Sequence, residues 1–240
     1  MAADDVLSGE RARLEEIAGW YSSRDWGFYT RLIHYTYRSI RPLLHGRAGL
    51  EMGSADGEMT RFLREDFDRL HVLDASDDYV EKATSFGDNV SGSVALFEEF
   101  ETELRFDTIV ASHVLEHLVD PVAVLSRARE WLAPGGRLIV VVPNADSLHR
   151  QLGVKLGLLP ATDALNEQDL EIGHRRVYRR ETLEADLSAA GFDVTARGGV
   201  FLKLLSNVQM QEFDDAVVEG FYELGKDFPD LCSEIYAVAG

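Results

Sequence analysis

Residues 138–142 read Leu-Ile-Val-Val-Val. A strand with one wet face alternates apolar and polar side chains, so five aliphatic residues in succession fit a strand covered on both faces. Such cover comes from helices on each side of a parallel sheet, and the rest of the chain supplies the matching alternation. Further strands are predicted at 49–53, 70–75, 93–97 and 106–111, with helices at 57–65, 77–86 and 121–132. Ahead of them, 10–46 is mostly helical and aromatic, closing near Arg41-Pro42 because the residue before a proline avoids helical backbone. Residues 145–178 break the rhythm and read as an insertion. A helix at 180–190 ends on Gly191, a suitable C-cap. Two late strands follow, at 192–197 and 200–205, and the tail reads as a helical lid.

Composition narrows the partners. The net charge is −18, opposite to the basic face that nucleic acid requires, and it disfavours an anionic membrane surface. One cysteine, Cys232, allows no internal disulfide and suits a reducing compartment. The N-terminus, Met-Ala-Ala-Asp-Asp-Val, lacks the basic-then-apolar pattern of a signal peptide, and no run approaches a membrane span. A cytoplasmic protein is expected.

In a doubly wound sheet, ligands bind beyond the carboxyl ends of the strands. After the first strand comes Leu-Glu-Met-Gly-Ser-Ala-Asp-Gly-Glu-Met-Thr (50–60). Gly53, Ser54, Ala55 and Gly57 are small enough for a ligand to lie against the backbone. The second strand ends on Asp74, about 20 residues further on, a spacing that suits an acceptor for two ribose hydroxyls. A tight turn plus a helix-capping Asp accounts for the same residues without a ligand.

The pattern Gly-x-Ala-x-Gly, with Glu51 two residues ahead of it, is not the dinucleotide fingerprint. It resembles the first motif of the class I S-adenosylmethionine-dependent methyltransferases. The resemblance continues through Asp74, through Phe-Asp-Thr-Ile-Val-Ala-Ser-His-Val-Leu-Glu-His (106–117), through Leu-Ala-Pro-Gly-Gly-Arg-Leu-Ile-Val-Val-Val-Pro-Asn (132–144), and through 174–183 and Ala-Gly-Phe (190–192). It covers roughly residues 45–205; Ala55 stands where many members have glycine. The resemblance implies an α/β, doubly wound, seven-stranded and mostly parallel Rossmann-like sheet with helical lid elements. The lids would be 1–46 and 208–240, the core 47–240, and the insertion 145–178 would form the acceptor pocket. It implies S-adenosyl-L-methionine as cofactor. Backbone around Glu51, Gly53, Ser54, Ala55 and Gly57 would hold its methionine part, Asp74 its ribose, and Ala75, Leu96, Phe97 and, more weakly, Glu98 would flank the adenine. Ser112 and His113 would approach the reactive methyl. Core packing is the plain alternative for Leu96 and Phe97.

Methyl transfer from a sulfonium is an in-line displacement, and a base is needed only when the acceptor is a weak acid such as an alcohol. Histidine suits that task near neutral pH, and the candidates are His113, His174 and His117. Arg175, Arg176, Arg179 and Arg180 would hold an anionic acceptor, or else pair with acids such as Glu171, Glu181 and Glu184. The aromatic stretch 20–29 reads equally as a lid or as a helix face, and Lys203, Asn207 and Gln209 are further acceptor contacts to test. The segment Ser-His-Val-Leu-Glu-His (112–117) also has metal-ligand character. Relatives with Glu-x-x-Glu-His here bind magnesium, but His113 replaces the first Glu and weakens that case; two histidines and a carboxylate suit zinc better, with His174 as a further ligand. No metal is the expectation. The sequence therefore points to O-methylation of a sugar or natural-product intermediate by a histidine base. N-methylation or carboxylate esterification of a small molecule or peptide is the runner-up, and a non-catalytic nucleoside-binding protein the alternative class. The oligomeric state is open, a homodimer being one option.

Overall fold

The computed structural model describes residues 9, 10, 13 and 27–240. Strands β1 (Ala48–Met52), β2 (Arg69–Asp74), β3 (Val90–Val94), β4 (Phe106–Ser112), β5 (Leu132–Pro143), β6 (Val194–Val200) and β7 (Glu234–Ala239) form one sheet in the order β3-β2-β1-β4-β5-β7-β6. All neighbours are parallel except β7, which runs antiparallel to both β5 and β6. The helices are α1 (Phe28–Ile40), α2 (Glu58–Leu63), α3 (Asp77–Thr84), α4 (Pro121–Trp131), α5 (Leu148–Lys155), α6 (Glu167–Glu171), α7 (Arg180–Ala189), α8 (Asn207–Met210) and α9 (Asp215–Gly225). Among the described residues, no helix is long and apolar enough to cross a membrane.

The run 138–142 is fully buried, and its alternation divides it between two cores. Leu138, Val140 and Val142 pack with Val124, Leu125 and Ala128 of α4 and Leu183 and Leu187 of α7. Ile139 and Val141 face the other way, onto Tyr37 and Ile40 of α1, Met59 and Leu63 of α2, and Ala83 of α3. Burial of each such side chain contributes roughly 1.5–3 kcal/mol, which is why the run admits no polar residue. Local signals set the helix starts: Asp120 accepts from Ala123 N at 3.0 Å ahead of Pro121, and Ser76 caps α3.

Three expectations are corrected. The third strand lies at Val90–Val94, earlier than 93–97. It is an edge strand of Val-Ser-Gly-Ser-Val, held partly by His71, whose ring nitrogens lie 2.8 and 3.0 Å from the Ser91 and Ser93 hydroxyls; Leu96 beyond it is buried and Phe97 packs against the first core. The late strands are not 192–197 and 200–205. A single strand, β6, stops at Val200, because Phe201 takes a left-handed backbone (φ 61) and its buried ring joins a third core. That core unites Phe28, Leu32 and Tyr35 of α1 with Met210, Val218 and Tyr222. The seventh strand is β7, so the tail beyond 208 is not a lid throughout: after α8 and α9 it returns to the interior of the sheet.

Candidate active site

Two sets of residues meet at the carboxyl rim. The first surrounds the exit of β1. Gly53 (φ 73), Ala55 (φ 43) and Gly57 (φ 77) all have left-handed backbone, so the turn coils tightly and Ala55 carries its methyl in a region that costs an L-residue about 1–2 kcal/mol. Gly57 is required twice over, since a Cβ there would also overlap the Phe86 ring. Asp74 ties the turn to β2: its Oδ2 accepts from Ser54 N at 2.8 Å and from Ala55 N at 3.4 Å, and its Oδ1 from Ser76 N at 2.9 Å. Burial lifts the Asp74 carboxyl above its ordinary range despite these N–H donors. Glu51 lies beneath the turn, 2% exposed. Its Oε2 accepts from Thr60 Oγ1 at 2.6 Å while Oε1 has no partner, and burial, reinforced by Asp74, pushes its carboxyl up to about 8.

Around this turn, Phe97 reaches within 4.0 Å of where a Gly53 side chain would sit. Ala75, Glu98 and Ser112 are half-buried at the same rim, while Leu96 is 3% exposed and reads as packing. Small residues, an anchored carboxylate and an orphaned buried acid oxygen fit a ligand that carries a ribose and an ammonium group.

The second set begins at His113, also left-handed (φ 57), after which 115–117 form a turn rather than a helix. The segment therefore does not present one helical face. His113 turns toward β7: its Nδ1 lies 3.2 Å from Glu116 Oε1 and its Nε2 lies 3.3 Å from Glu234 Oε1. Glu234 Oε2 in turn accepts from Thr36 Oγ1 at 2.6 Å, and the Tyr29 ring stands edge-on to the imidazole at 5.9 Å. Burial opposes charge on His113, but the two carboxylates override it and lift its pKa to about 10.

Glu116 and His117 instead meet His174. The His117 and His174 rings are in T-shaped contact at 4.7 Å, and His174 Nε2 is 4.0 Å from Glu116 Oε1. Glu116 is fully buried and neither of its oxygens receives a well-directed hydrogen bond. Burial would raise its pKa, yet His113 holds it below the usual carboxylate range. Burial holds His117 neutral, down at about 4. His174 Nδ1 lies 3.1 Å from Asp169 Oδ1. Asp169 Oδ2 accepts from Asn166 N at 3.0 Å, across a capping box that opens α6, and lies 3.3 Å from Arg150 Nη1. Among the described residues, Glu116, His117 and His174 are the group of three whose ligand atoms lie within 4.8 Å of one another.

The four arginines of 175–180 are committed elsewhere, to different acids from those expected. Arg175 donates to His117 O and Glu10, Arg176 to Val119 O, Arg179 to Asp146 and Thr162, and Arg180 to Asp230. Gln209 caps its own helix from Ser206 and is turned away, whereas Asn207 Oδ1 is buried without a partner. Of the aromatic stretch 20–29, residues 20–26 lie outside the described residues. Sequence reasoning missed Glu234, Asp169, Arg150 and His149. Only Asp169 left a trace, as the third residue after an Asn N-cap.

This combination of sheet order, glycine turn and strand-end acid is the architecture of a methyl-transfer fold. The chain belongs to the methyltransferase domain family, whose model matches residues 27–197. It is 28% identical over 182 residues to a ubiquinone biosynthesis O-methyltransferase of Rhizobium etli, an alignment spanning 71% of this chain and 69% of that protein. The N-methyltransferase NodS from Bradyrhizobium japonicum WM9, solved with S-adenosyl-L-homocysteine, shares the fold with TM-score 0.54 at 20% identity, over 87% of this chain and 84% of that one. The magnesium protoporphyrin IX methyltransferase of Synechocystis PCC 6803, also with S-adenosyl-L-homocysteine bound, gives TM-score 0.57 at 14% identity over 88% and 83%.

Proposed function

We propose that the chain transfers a methyl group from S-adenosylmethionine to a hydroxyl of a small molecule, with Asp169 and His174 as the base. The observation that carries this reading is the 3.1 Å contact from His174 Nδ1 to Asp169 Oδ1. A carboxylate on Nδ1 favours the tautomer with its proton there, which would leave Nε2, 4.0 Å from Glu116 Oε1, as the basic nitrogen. His113 does not serve as the base in this reading. Held between Glu116 and Glu234 it keeps its proton near neutral pH, and it braces the exit of β4 against β7. His117, neutral and against the His174 ring, limits how that ring turns.

S-adenosylmethionine would supply a methyl carbon on a sulfonium, and the Gly53–Gly57 turn and Asp74 are the residues that would hold it. Glu51 would meet the ammonium of its methionine part. His174 Nε2 would take the acceptor's O–H proton as the oxygen attacks the methyl carbon, with the thioether sulfur keeping the electron pair of the broken carbon–sulfur bond. Amines and carboxylates attack without such help, so an imidazole oriented by a buried acid favours a hydroxyl over those acceptors.

The test is an acceptor panel of hydroxyl, amine and carboxylate compounds, read by release of S-adenosylhomocysteine. Hydroxyl acceptors should turn over, and His174→Gln should lower kcat by about 100-fold or more while leaving S-adenosylmethionine affinity in place. Turnover of amines alone, or full kcat in His174→Gln, refutes the reading.

A second reading rests on Glu116, whose two oxygens are buried without hydrogen bonds beside His117 and His174. Two imidazoles and one carboxylate suit a divalent transition metal better than magnesium, and Asp169 behind His174 is the orienting partner that metal-bound histidines use. Elemental analysis of the purified protein, with activity before and after chelation, decides between the two.

A further inference from the structure

Beside the cluster of Arg150, Asp169 and His174 runs an apolar groove of about 470 Å³, between α5 and the chain leaving β6. Leu148 and Leu152 line it from one side, Leu204, Leu205, Phe213 and Phe221 from the other. Leu152 is 39% and Phe213 36% exposed, so this apolar surface is left open to water at an energetic cost. The volume is within the range of small-ligand sites.

The groove shares its walls with the site. On α5, Leu148, Leu152 and Lys155 fall on one helical stripe and face the groove. The intervening His149 and Arg150 face the polar side, where Arg150 meets Asp169 and His149 Nδ1 is buried without a partner. In the 201–205 stretch, Leu204 and Leu205 face the groove, while Lys203 lies within electrostatic reach of Arg150, Asp169, Glu234 and His149.

The lysines supply the charge argument. The chain has four: Lys82, Lys155, Lys203 and Lys226. Lys82 pairs with Asp56 and Lys226 with Glu223. Lys155 and Lys203 have no ion-pair or side-chain hydrogen-bond partner among the described residues, in a chain of net charge −18 where acids outnumber bases. Lys155 lines the groove, and Lys203 directly precedes Leu204 of its wall and lies within electrostatic reach of Asp169 and Glu234.

We propose that the methyl acceptor is an anionic amphiphile. Its acid group pairs with Lys203 beside His149, and its apolar body lies along the groove between Leu152 and Phe213, leaving past Lys155. The proposal rests on the methyl-transfer reading above, because it places the acceptor beside His174.

The test is calorimetry on the wild-type protein loaded with S-adenosylhomocysteine, titrated with hexanoate, octanoate and decanoate, and then with octan-1-ol and octyltrimethylammonium. Each added methylene should tighten binding about fourfold, the affinity equivalent of one buried CH₂. Octanoate should bind at least about tenfold tighter than the alcohol or the cation, as a charge-assisted pair requires. Lys203→Met should abolish that preference and keep the chain-length series. Leu152→Asp, at an exposed position that does not threaten folding, should flatten the series. Affinity that does not change with chain length, or an octanoate preference that survives Lys203→Met, overturns the proposal. Should Lys203→Met not fold, equal binding of octanoate and octyltrimethylammonium by the wild type overturns it instead. Failure to bind S-adenosylhomocysteine at all would refute the methyl-transfer reading; normal loading with a flat series refutes this inference alone.

Discussion

Asp169→Asn separates the proposed base from its scaffold. Asp169 is 8% exposed and has three partners: His174 Nδ1 at 3.1 Å, Arg150 Nη1 at 3.3 Å and Asn166 N at 3.0 Å. Burial pushes its carboxyl up, but His174, the Asn166 N–H and Arg150 together hold it below the usual range, so it is ionised at neutral pH. An asparagine has the same shape but one acceptor and one donor. With its carbonyl toward His174, its NH₂ faces Arg150 and the Asn166 N–H, a donor against two donors. Flipped, the NH₂ faces Nδ1, and His174 must move its proton to Nε2, where it cannot accept another. Removing one member of a buried pair costs about 3–5 kcal/mol. Arg150 keeps its bonds to the Thr162 and Ala164 carbonyls, which reduces the expected loss to roughly 2–3 kcal/mol, or about 4–12 °C in Tm for a chain of this size. Loss of a correctly held base should lower kcat by about 10²–10⁴-fold, with S-adenosylmethionine affinity within about twofold of wild type. The assays are a thermal melt, titration calorimetry with S-adenosylmethionine and the initial rate on a hydroxyl acceptor. A variant that melts early yet keeps kcat within about threefold would show that Asp169 serves only folding and that His174 is not the base.

Further outcomes follow from the Gly53–Gly57 turn and the core. Asp74→Ala should weaken S-adenosylmethionine by about 10²–10⁴-fold, the worth of two hydrogen bonds to a charged group at roughly 1.5–3 kcal/mol each; unchanged affinity by calorimetry removes Asp74 from the site. Glu51, raised from 4.5 to about 8 by burial, binds its proton more tightly folded than unfolded. Its contribution is therefore fully present below about pH 4.5 and lost as pH rises through 8, up to about 5 kcal/mol. Glu51→Gln removes that slope, so the ligand-free variant should gain on wild type in urea midpoint between pH 5 and 8.5, and a constant gap would contradict the assignment. Cys232 is buried, with its thiol donating to Gly225 O at 3.3 Å and pushed up to about 12 by burial, then Glu234 and Asp230. It should resist aromatic disulfide reagents near pH 8 until guanidinium unfolds the chain; rapid modification of the native protein would show an opening that reaches β7.

Strands β1, β2, β4 and β5 were legible because they are central, and a central parallel strand must be apolar on both faces. The edge strand β3 was misplaced by three residues: Ser91, Gly92 and Ser93 have no such requirement, while Leu96 and Phe97 beyond them look more strand-like. Phe201–Leu205 misled for the same reason, since hydrophobicity marks burial and not backbone conformation. The Gly53–Gly57 turn was legible because backbone makes it, and backbone demands small residues at fixed spacing, as Gly57 shows. The cluster around His174 is made by side chains from α5, α6, β7 and the segments between elements, and no local pattern records which of them meet.

Ser-His-Val-Leu-Glu-His shows where the difference lies. On a helix, His113, Glu116 and His117 would share a face and act together. His113 instead has φ 57, and a helix cannot start through that angle. The left-handed step directs the first imidazole to Glu234 and leaves Glu116 and His117 facing His174. A non-glycine residue pays to hold this conformation, and here the two contacts from His113 to carboxylates offset the cost. Replacement by Gly should keep the turn and lose the brace to β7, whereas Gln should keep a polar contact and strain the turn. If both variants retained the wild-type melt, the left-handed step would not depend on the Glu116–His113–Glu234 bridge, and its cost would have to be met elsewhere in the packing around Val114 and Leu115.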